Sequence, residues 1–115
     1  MDYKDLDVWK HSFELVSNIY IETKRFPDEE RFGLISQMRR SAVSVVSNIA
    51  EGFSRSSFKD YFRFIEIAYG SCVELETQVL ISIRLGYIND QEILDEITEV
   101  KKLLNGFKRY LKTKF

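Results

Sequence analysis

Apolar side chains recur along this chain at the three- and four-residue spacing of an α-helix, and few residues would end a helix. The 115 residues contain one proline and five glycines. Pro27, Gly52 and Gly86 separate stretches that keep the helical period. The pattern predicts four helices, at about Leu6–Arg25, Asp28–Glu51, Ser57–Leu85 and Asp90–Lys112. Because the joints are short, consecutive helices must run antiparallel, so we predict an all-α, up-down four-helix bundle, one domain over residues 1–115.

Each predicted helix carries one apolar stripe that we expect to face the core. The stripes comprise Trp9, Phe13, Val16 and Tyr20; Ile35, Met38, Ala42, Val45, Val46 and Ile49; Phe58, Phe62, Ile65, Tyr69, Cys72, Val79 and Ile83; and Ile93, Ile97, Val100, Leu104, Phe107 and Leu111. Glu76 falls within the third stripe, and a buried carboxylate without a partner is costly. We therefore expect Glu76 to meet an arginine or backbone donors, with Arg39 the nearest candidate in helix order.

Capping residues indicate where two of the helices begin. Asn89 and Glu92 have the spacing of a capping box at the start of the fourth helix, and Ser57 and Asp60 form a shorter-armed version before the third.

Glycines contribute further boundary information. Gly52 and Gly86 suit the position just after a helix, where glycine is favoured. Gly70 lies inside the third helix, where it costs roughly 1 kcal/mol relative to alanine. We expect it to admit a close neighbour rather than to break the helix.

The face of the second helix opposite its apolar stripe is rich in serine. Solvated helix faces favour better helix formers such as Lys, Glu and Gln, whereas small side chains suit a face that another helix approaches closely. We therefore expect this face to be buried between elements or between protomers of a homo-oligomer, the alternative being a monomer with an apolar surface. The face comprises Ser36, Arg40, Ser44, Ser47, Asn48 and Glu51.

Composition points away from an enzyme. The chain has one histidine, His11, and one cysteine, Cys72. A single cysteine excludes an intramolecular disulfide and a multi-cysteine metal site. No phosphate-binding glycine loop occurs, and Ser12 beside His11 is not a dyad because adjacent helical residues do not face each other. We predict no catalytic residue, cofactor, metal or small-molecule substrate. No apolar run suits a membrane span or signal peptide, and cysteine usage fits the cytoplasm.

The charge pattern contains one nucleic-acid signal within a chain of net charge −1. Residues 101–114 carry six basic side chains and no acid, namely Lys101, Lys102, Lys108, Arg109, Lys112 and Lys114. This run is either a helix end that complements the helix dipole or a phosphate-contacting patch. Arg39, Arg40 and Arg55 are candidates for a second basic cluster.

Several stretches resemble one bacterial family. They are QMRRSAVSVVSNIAEGFSR at residues 37–55, DLDVWK at 5–10, Phe26-Pro27, and AYGSCVELE at 68–76 followed by LGYI at 85–88. These are similar to the 23S rRNA intervening-sequence proteins, which are related to the accessory variability-determinant protein of diversity-generating retroelements. The motif positions are Arg40, Asn48, Glu51, Gly52, Gly70, Ser71, Glu74 and Glu76.

The resemblance implies an up-down bundle that assembles as a barrel-like homopentamer. It also implies an RNA, DNA or reverse transcriptase partner, because retroelement members bind these through a basic surface. We expect a non-catalytic oligomeric scaffold, with a protein-binding adaptor that has no nucleic-acid role as the alternative. Arg40, Asn48 and Glu51 are expected to be structural, with Glu51 held by Arg55 or Arg40.

Overall fold

A computed structural model describes residues 1–89 and 91–115, and the described residues contain four long α-helices and no strand. The helices are α1 (Asp7–Thr23), α2 (Ser36–Phe53), α3 (Phe58–Arg84) and α4 (Glu92–Lys112). Short helical turns at Tyr3–Asp5, Asp28–Glu30 and Arg31–Ile35 complete the secondary structure. The predicted all-α fold is confirmed. No helix in this part of the chain is long and apolar enough to cross a bilayer.

The helices run up and down in sequence order. Ser41 and Ser44 of α2 contact Glu74 and Ser71 of α3, so residue numbers rise along one helix as they fall along the other. The first helix packs against both α2 and α4, which closes a bundle with extents of 46 × 22 × 20 Å. The antiparallel arrangement follows from the short connection between α2 and α3.

The core confirms most of two predicted stripes. Met38, Ala42, Val45 and Ile49 of α2 are buried, while Ile35 and Val46 are half-buried. Every predicted position of α4 is buried except the half-buried Phe107. On α3 the stripe is partly right, with Ile65, Cys72 and Val79 buried, Phe62, Tyr69 and Ile83 half-buried, Phe58 exposed, and the unpredicted Ala68 and Leu75 buried.

The predicted stripe of α1 was only half right. Trp9 and Val16 are half-buried against the core, but Phe13 is 53% exposed and Tyr20 is at the surface. The fully buried positions are Val8, Leu15 and Ile19, which were not predicted. The buried stripe was obscured because it includes Ser12, whose hydroxyl donates a hydrogen bond of 2.7 Å to the carbonyl oxygen of Val8. A hydroxyl group that is hydrogen-bonded within its own helix can be buried in an apolar core, so a polar residue in the sequence need not be exposed to solvent.

Three helix ends differ from prediction. The second helix was expected to begin at Asp28, but residues 28–35 form two short turns in which Gly33 has non-helical φ and ψ angles, so α2 begins at Ser36. The second helix runs through Gly52 to Phe53, and α4 begins at Glu92 with Gln91 as its N-cap, so Asn89 does not cap it. Position 90, where that helix was expected to begin, lies outside the described residues. Gly86 follows α3 with φ of +83°, a conformation that favours glycine and that confirms its predicted role. Ser57 caps α3 as expected, accepting from the Asp60 amide at 3.1 Å.

Candidate nucleic-acid interface

The positive charge of Lys101 on α4 is neutralised by a carboxylate on α3. Its Nζ donates to Oε1 of Glu76 at 3.0 Å, and this hydrogen bond raises the pKa of the Lys101 ammonium above its ordinary value. The predicted partner of Glu76, Arg39, is engaged elsewhere: its Nε donates to Thr23 Oγ1 at 2.9 Å, and its guanidinium lies 4.4 Å from the Tyr20 ring centroid. Glu76 is thus an inter-helix tether between α3 and α4.

The next two lysines on that side of α4 lie over aromatic rings. The Nζ of Lys108 is 4.8 Å from the ring centroid of Tyr69, and the Nζ of Lys112 is 5.2 Å from that of Phe62 and 5.8 Å from that of Phe115. An aromatic face attracts an ammonium without neutralising its charge. In the described part of the chain, neither lysine forms an ion pair.

The remaining cations of the predicted run point outward. The Nζ of Lys114 lies 5.1 Å from the Tyr110 ring centroid, and Lys102 and Arg109 are exposed. Leu111 is fully buried, so at 100° per residue Arg109 lies on the outer side of α4, Lys108 and Lys112 lie on its flanks, and Lys114 follows the end of the helix. We call Lys108, Arg109, Lys112 and Lys114 the α4 basic end.

A shallow groove of about 360 Å³ runs between α3 and α4 at this end. Its lining combines one ring, one acid, one amide and three cations, namely Phe62, Glu66, Asn105, Lys108, Arg109 and Lys112. The opposite half of α4 is acidic, because residues 92–99 carry four acidic side chains and no basic one. A polyanion is therefore attracted to the C-terminal half of α4 and repelled from its N-terminal half.

The predicted second basic cluster does not form. The second helix rises about 21 Å between Arg39 and its end at Phe53, which keeps Arg39 and Arg40 far from Arg55. Arg55 Nη2 instead donates to Oε1 of Glu51 at 2.8 Å, which confirms one of the two partners expected for that carboxylate.

Sequence reasoning missed Arg63, which belongs beside Arg55. Their guanidinium carbons lie 4.7 Å and 4.8 Å from the ring centroid of Phe64, and Arg63 also pairs with Asp60 at 3.5 Å. The three-residue spacing of Asp60 and Arg63 on a helix was the available signal. Both arginines are paired with carboxylates, unlike the cations of the α4 basic end.

A profile of the 23S rRNA-intervening sequence protein family matches residues 4–106. The chain belongs to this family. A crystal structure of a protein of unknown function from the S23 ribosomal protein family of Bacteroides thetaiotaomicron is similar, with a TM-score of 0.81 and 28% sequence identity. The match covers 89% of this chain and 95% of that one. No curated protein matches the chain. Residues 107–115 lie beyond the family match.

Motif residues of the intervening-sequence family join α2 to α3. The hydroxyls of Ser44 and Ser71 are 2.8 Å apart, and Asn48 Nδ2 donates to the Ser44 carbonyl at 2.8 Å. Ser41 donates to Glu74 Oε1 at 2.9 Å. Part of the serine-rich face therefore packs between elements, as expected. Its other members, Ser36, Arg40, Ser47 and Glu51, are exposed in the single chain.

The two motif glycines have different environments. A Cβ at Gly52 would lie 2.9 Å from the Phe64 Cβ and 3.0 Å from Tyr61 Cδ1, so this glycine admits the close approach of α3. Gly70 was expected to admit a neighbour too, but a Cβ there would meet nothing within 4 Å in the chain. It lies exposed among apolar residues of α3, including Ile67 and Val73.

The single thiol of this family member lies inside the bundle. Burial raises the pKa of Cys72 to about 12, so the thiol stays protonated at neutral pH and is a poor nucleophile. No three side chains of the metal-binding types come together in the described residues. His11 and Glu14 lie instead beside the acidic half of α4.

Proposed function

We propose that this chain is a non-catalytic, oligomeric scaffold that binds RNA or DNA through the α4 basic end. The observation that carries the proposal is that some cations of the chain are paired with carboxylates, whereas others lie over aromatic rings. Lys101, Arg55 and Arg63 are held by carboxylates, whereas Lys108 and Lys112 are held over rings and keep their charge. A phosphate reaching the second group displaces no acid.

The expected binding mode is contact with phosphates rather than with base edges. No described element at the α4 basic end is a recognition helix of a known DNA-binding motif, and its cations lie along the last turns of α4 and just beyond its end. Phosphate contacts release counterions, so affinity must fall steeply with salt. Assembly repeats the patch on every protomer and raises avidity without new contacts.

The oligomer in this proposal is a homopentamer, as family resemblance implies. Its support from geometry is an apolar strip on α3 that the chain leaves uncovered, formed by Ile67, Val73, Leu80 and Ile81. Gly70 lies within the strip with open space above it. A second copy of this chain would remove these side chains from water, which is favourable at roughly 25 cal/mol per Å².

Fluorescence anisotropy with labelled RNA and duplex DNA at low and high salt tests the binding. Changing Lys108, Arg109, Lys112 and Lys114 together to glutamine is expected to abolish binding. The matched control changes four exposed cations elsewhere, Lys10, Lys24, Arg31 and Arg84, and gives the same net charge. Binding is expected to survive in this control, with at most a small general loss.

The adaptor alternative predicts a different result. If the wild-type chain binds neither nucleic acid even at low salt, the nucleic-acid function is wrong and a protein-binding adaptor with no nucleic-acid role becomes the better explanation. Light scattering tests the assembly separately, because a mass near the 13.6 kDa of one chain contradicts an oligomer.

A further inference from the structure

We infer that the α4 basic end prefers single-stranded over double-stranded nucleic acid, with exposed rings that stack unpaired bases. This inference rests on the proposed function and names its ligand class. The rings are Tyr110 and Phe115, which are 54% and 52% exposed. Both lie beyond the residues that the family match covers.

Each exposed ring is paired with a lysine that has no carboxylate partner among the described residues. Lys114 Nζ lies 5.1 Å from the Tyr110 ring centroid, and Lys112 Nζ lies 5.8 Å from that of Phe115. A nucleotide needs these two chemistries side by side, a cation for its phosphate and a flat apolar surface for its base. Because each lysine already lies close to its ring, a single nucleotide can contact the lysine through its phosphate and the ring through its base.

The two exposed rings also pack against half-buried aromatic side chains. Phe115 packs edge-on against Phe62 at a centroid distance of 5.6 Å, and Tyr110 lies 6.3 Å from Phe107. Phe62 and Phe107 are half-buried against the core, so they hold the outer rings in place. A ring that is held before binding loses less conformational entropy when a base stacks on it.

The strand preference follows from which faces of a base are available. In a duplex the bases are stacked on each other and paired, so a surface ring cannot reach a base face. In a single strand the faces are free, and stacking on an aromatic side chain is tolerant of sequence because every base has such a face. Phosphate contacts alone would not distinguish the two forms in this way.

The experiment compares oligo(U), oligo(dT) and a duplex, each about 16 nucleotides long, by fluorescence anisotropy. The wild-type chain is expected to bind both single strands more tightly than the duplex. The double variant Y110L/F115L keeps apolar side chains but removes the rings, and it is expected to lose at least about fivefold in affinity for single strands. Its affinity for the duplex is expected to stay unchanged.

A matched control is Phe32→Leu, because Phe32 is 87% exposed and lies in the turn between α1 and α2 at the other end of the bundle. It is expected to bind all probes as the wild type does. If circular dichroism shows that Y110L/F115L fails to fold, the single variants Y110L and F115L replace it.

The outcomes separate this inference from the proposed function. Equal binding of single strands and duplex, or unchanged single-strand binding by Y110L/F115L, overturns the inference and leaves phosphate binding intact. Absence of any binding by the wild-type chain overturns both together. A loss confined to single strands, whether of RNA or of DNA, supports the inference.

Discussion

The Nζ of Lys101 lies 3.0 Å from Oε1 of Glu76, and this contact joins α3 to α4 through two side chains that are each about three-quarters shielded from water. The partners are 25 residues apart in sequence. The contact removes Lys101 from the cations that a ligand can reach. It therefore shapes the candidate interface as well as the bundle.

Changing Glu76 to glutamine is expected to lower the free energy of unfolding by about 1 kcal/mol. The hydrogen bond that Lys101 donates to Glu76 raises the pKa of Lys101 above 10.5, so the stabilisation is complete below that pH and is lost as pH rises through the higher value of the folded state. Urea unfolding should show a constant difference between wild type and variant from neutral pH to about 10, and a smaller one above. No difference at neutral pH would contradict the tether.

Gly52→Ala and Gly70→Ala form a matched pair within the family motif. The alanine at position 52 would be 2.9 Å from the Phe64 Cβ, so α3 must shift and the variant is expected to lose about 1–3 kcal/mol of stability. The alanine at position 70 meets nothing in the chain and is expected to gain roughly 0.5–1 kcal/mol. Thermal unfolding measures both. A loss at position 70 would reveal a neighbour contributed by another copy.

Stability is expected to fall between pH 9 and 12. Burial raises the pKa of Cys72 from 9.0 to about 12 and that of Tyr61 from 10.0 to about 12. The unfolded chain therefore releases these protons first, and each group's contribution is lost as pH rises through its folded value. Cys72→Ala is expected to make this fall shallower, whatever its effect at neutral pH. An unchanged slope in urea titrations across this range would contradict the assignment.

Tyr61→Phe is expected to leave stability unchanged or to increase it. The Tyr61 hydroxyl is buried without a hydrogen-bond partner among the described residues, and removing an unsatisfied polar group relieves its desolvation cost. Tyr87→Phe is the control, since the Tyr87 hydroxyl donates to Oε2 of Glu30 at 3.1 Å, and its loss is expected to destabilise. Chemical unfolding of both variants checks the contrast, which fails if Tyr61→Phe is the more harmful.

Glu51→Ala separates folding from assembly. Glu51 and Arg55 form an exposed pair, which is worth less than about 1 kcal/mol to the fold. If the exposed part of the α2 face lies between protomers, the variant is expected to lose assembly mass by light scattering while keeping its helical content. Asp60→Ala, which breaks the similarly exposed pair with Arg63, is the control. Equal masses for both variants would place Glu51 outside the interface.

Local properties of the fold could be predicted from the sequence. The helical period, the glycine after α3 and the serine cap before it depend on residues within a few positions of each other, so a linear pattern contains them. The stripe of α4 was predicted almost completely because its apolar residues occupy a single face. The α1 stripe was predicted only in part, because apolar residues lie on more than one side of that helix and the buried side includes the polar residue Ser12.

The pairing of charges between different helices was decided by the tertiary structure alone. Sequence order suggested Arg39 for Glu76, whereas the rotation of α3 against α4 presents Lys101. The same rotation places Lys108 and Lys112 over aromatic rings rather than beside acidic side chains. The run of basic residues in the sequence could not predict this difference. A residue's backbone state is set largely by its neighbours in the chain, but the partner of a long side chain depends on the register and rotation of separate helices. The register and rotation of the helices are fixed only when the four apolar faces pack together.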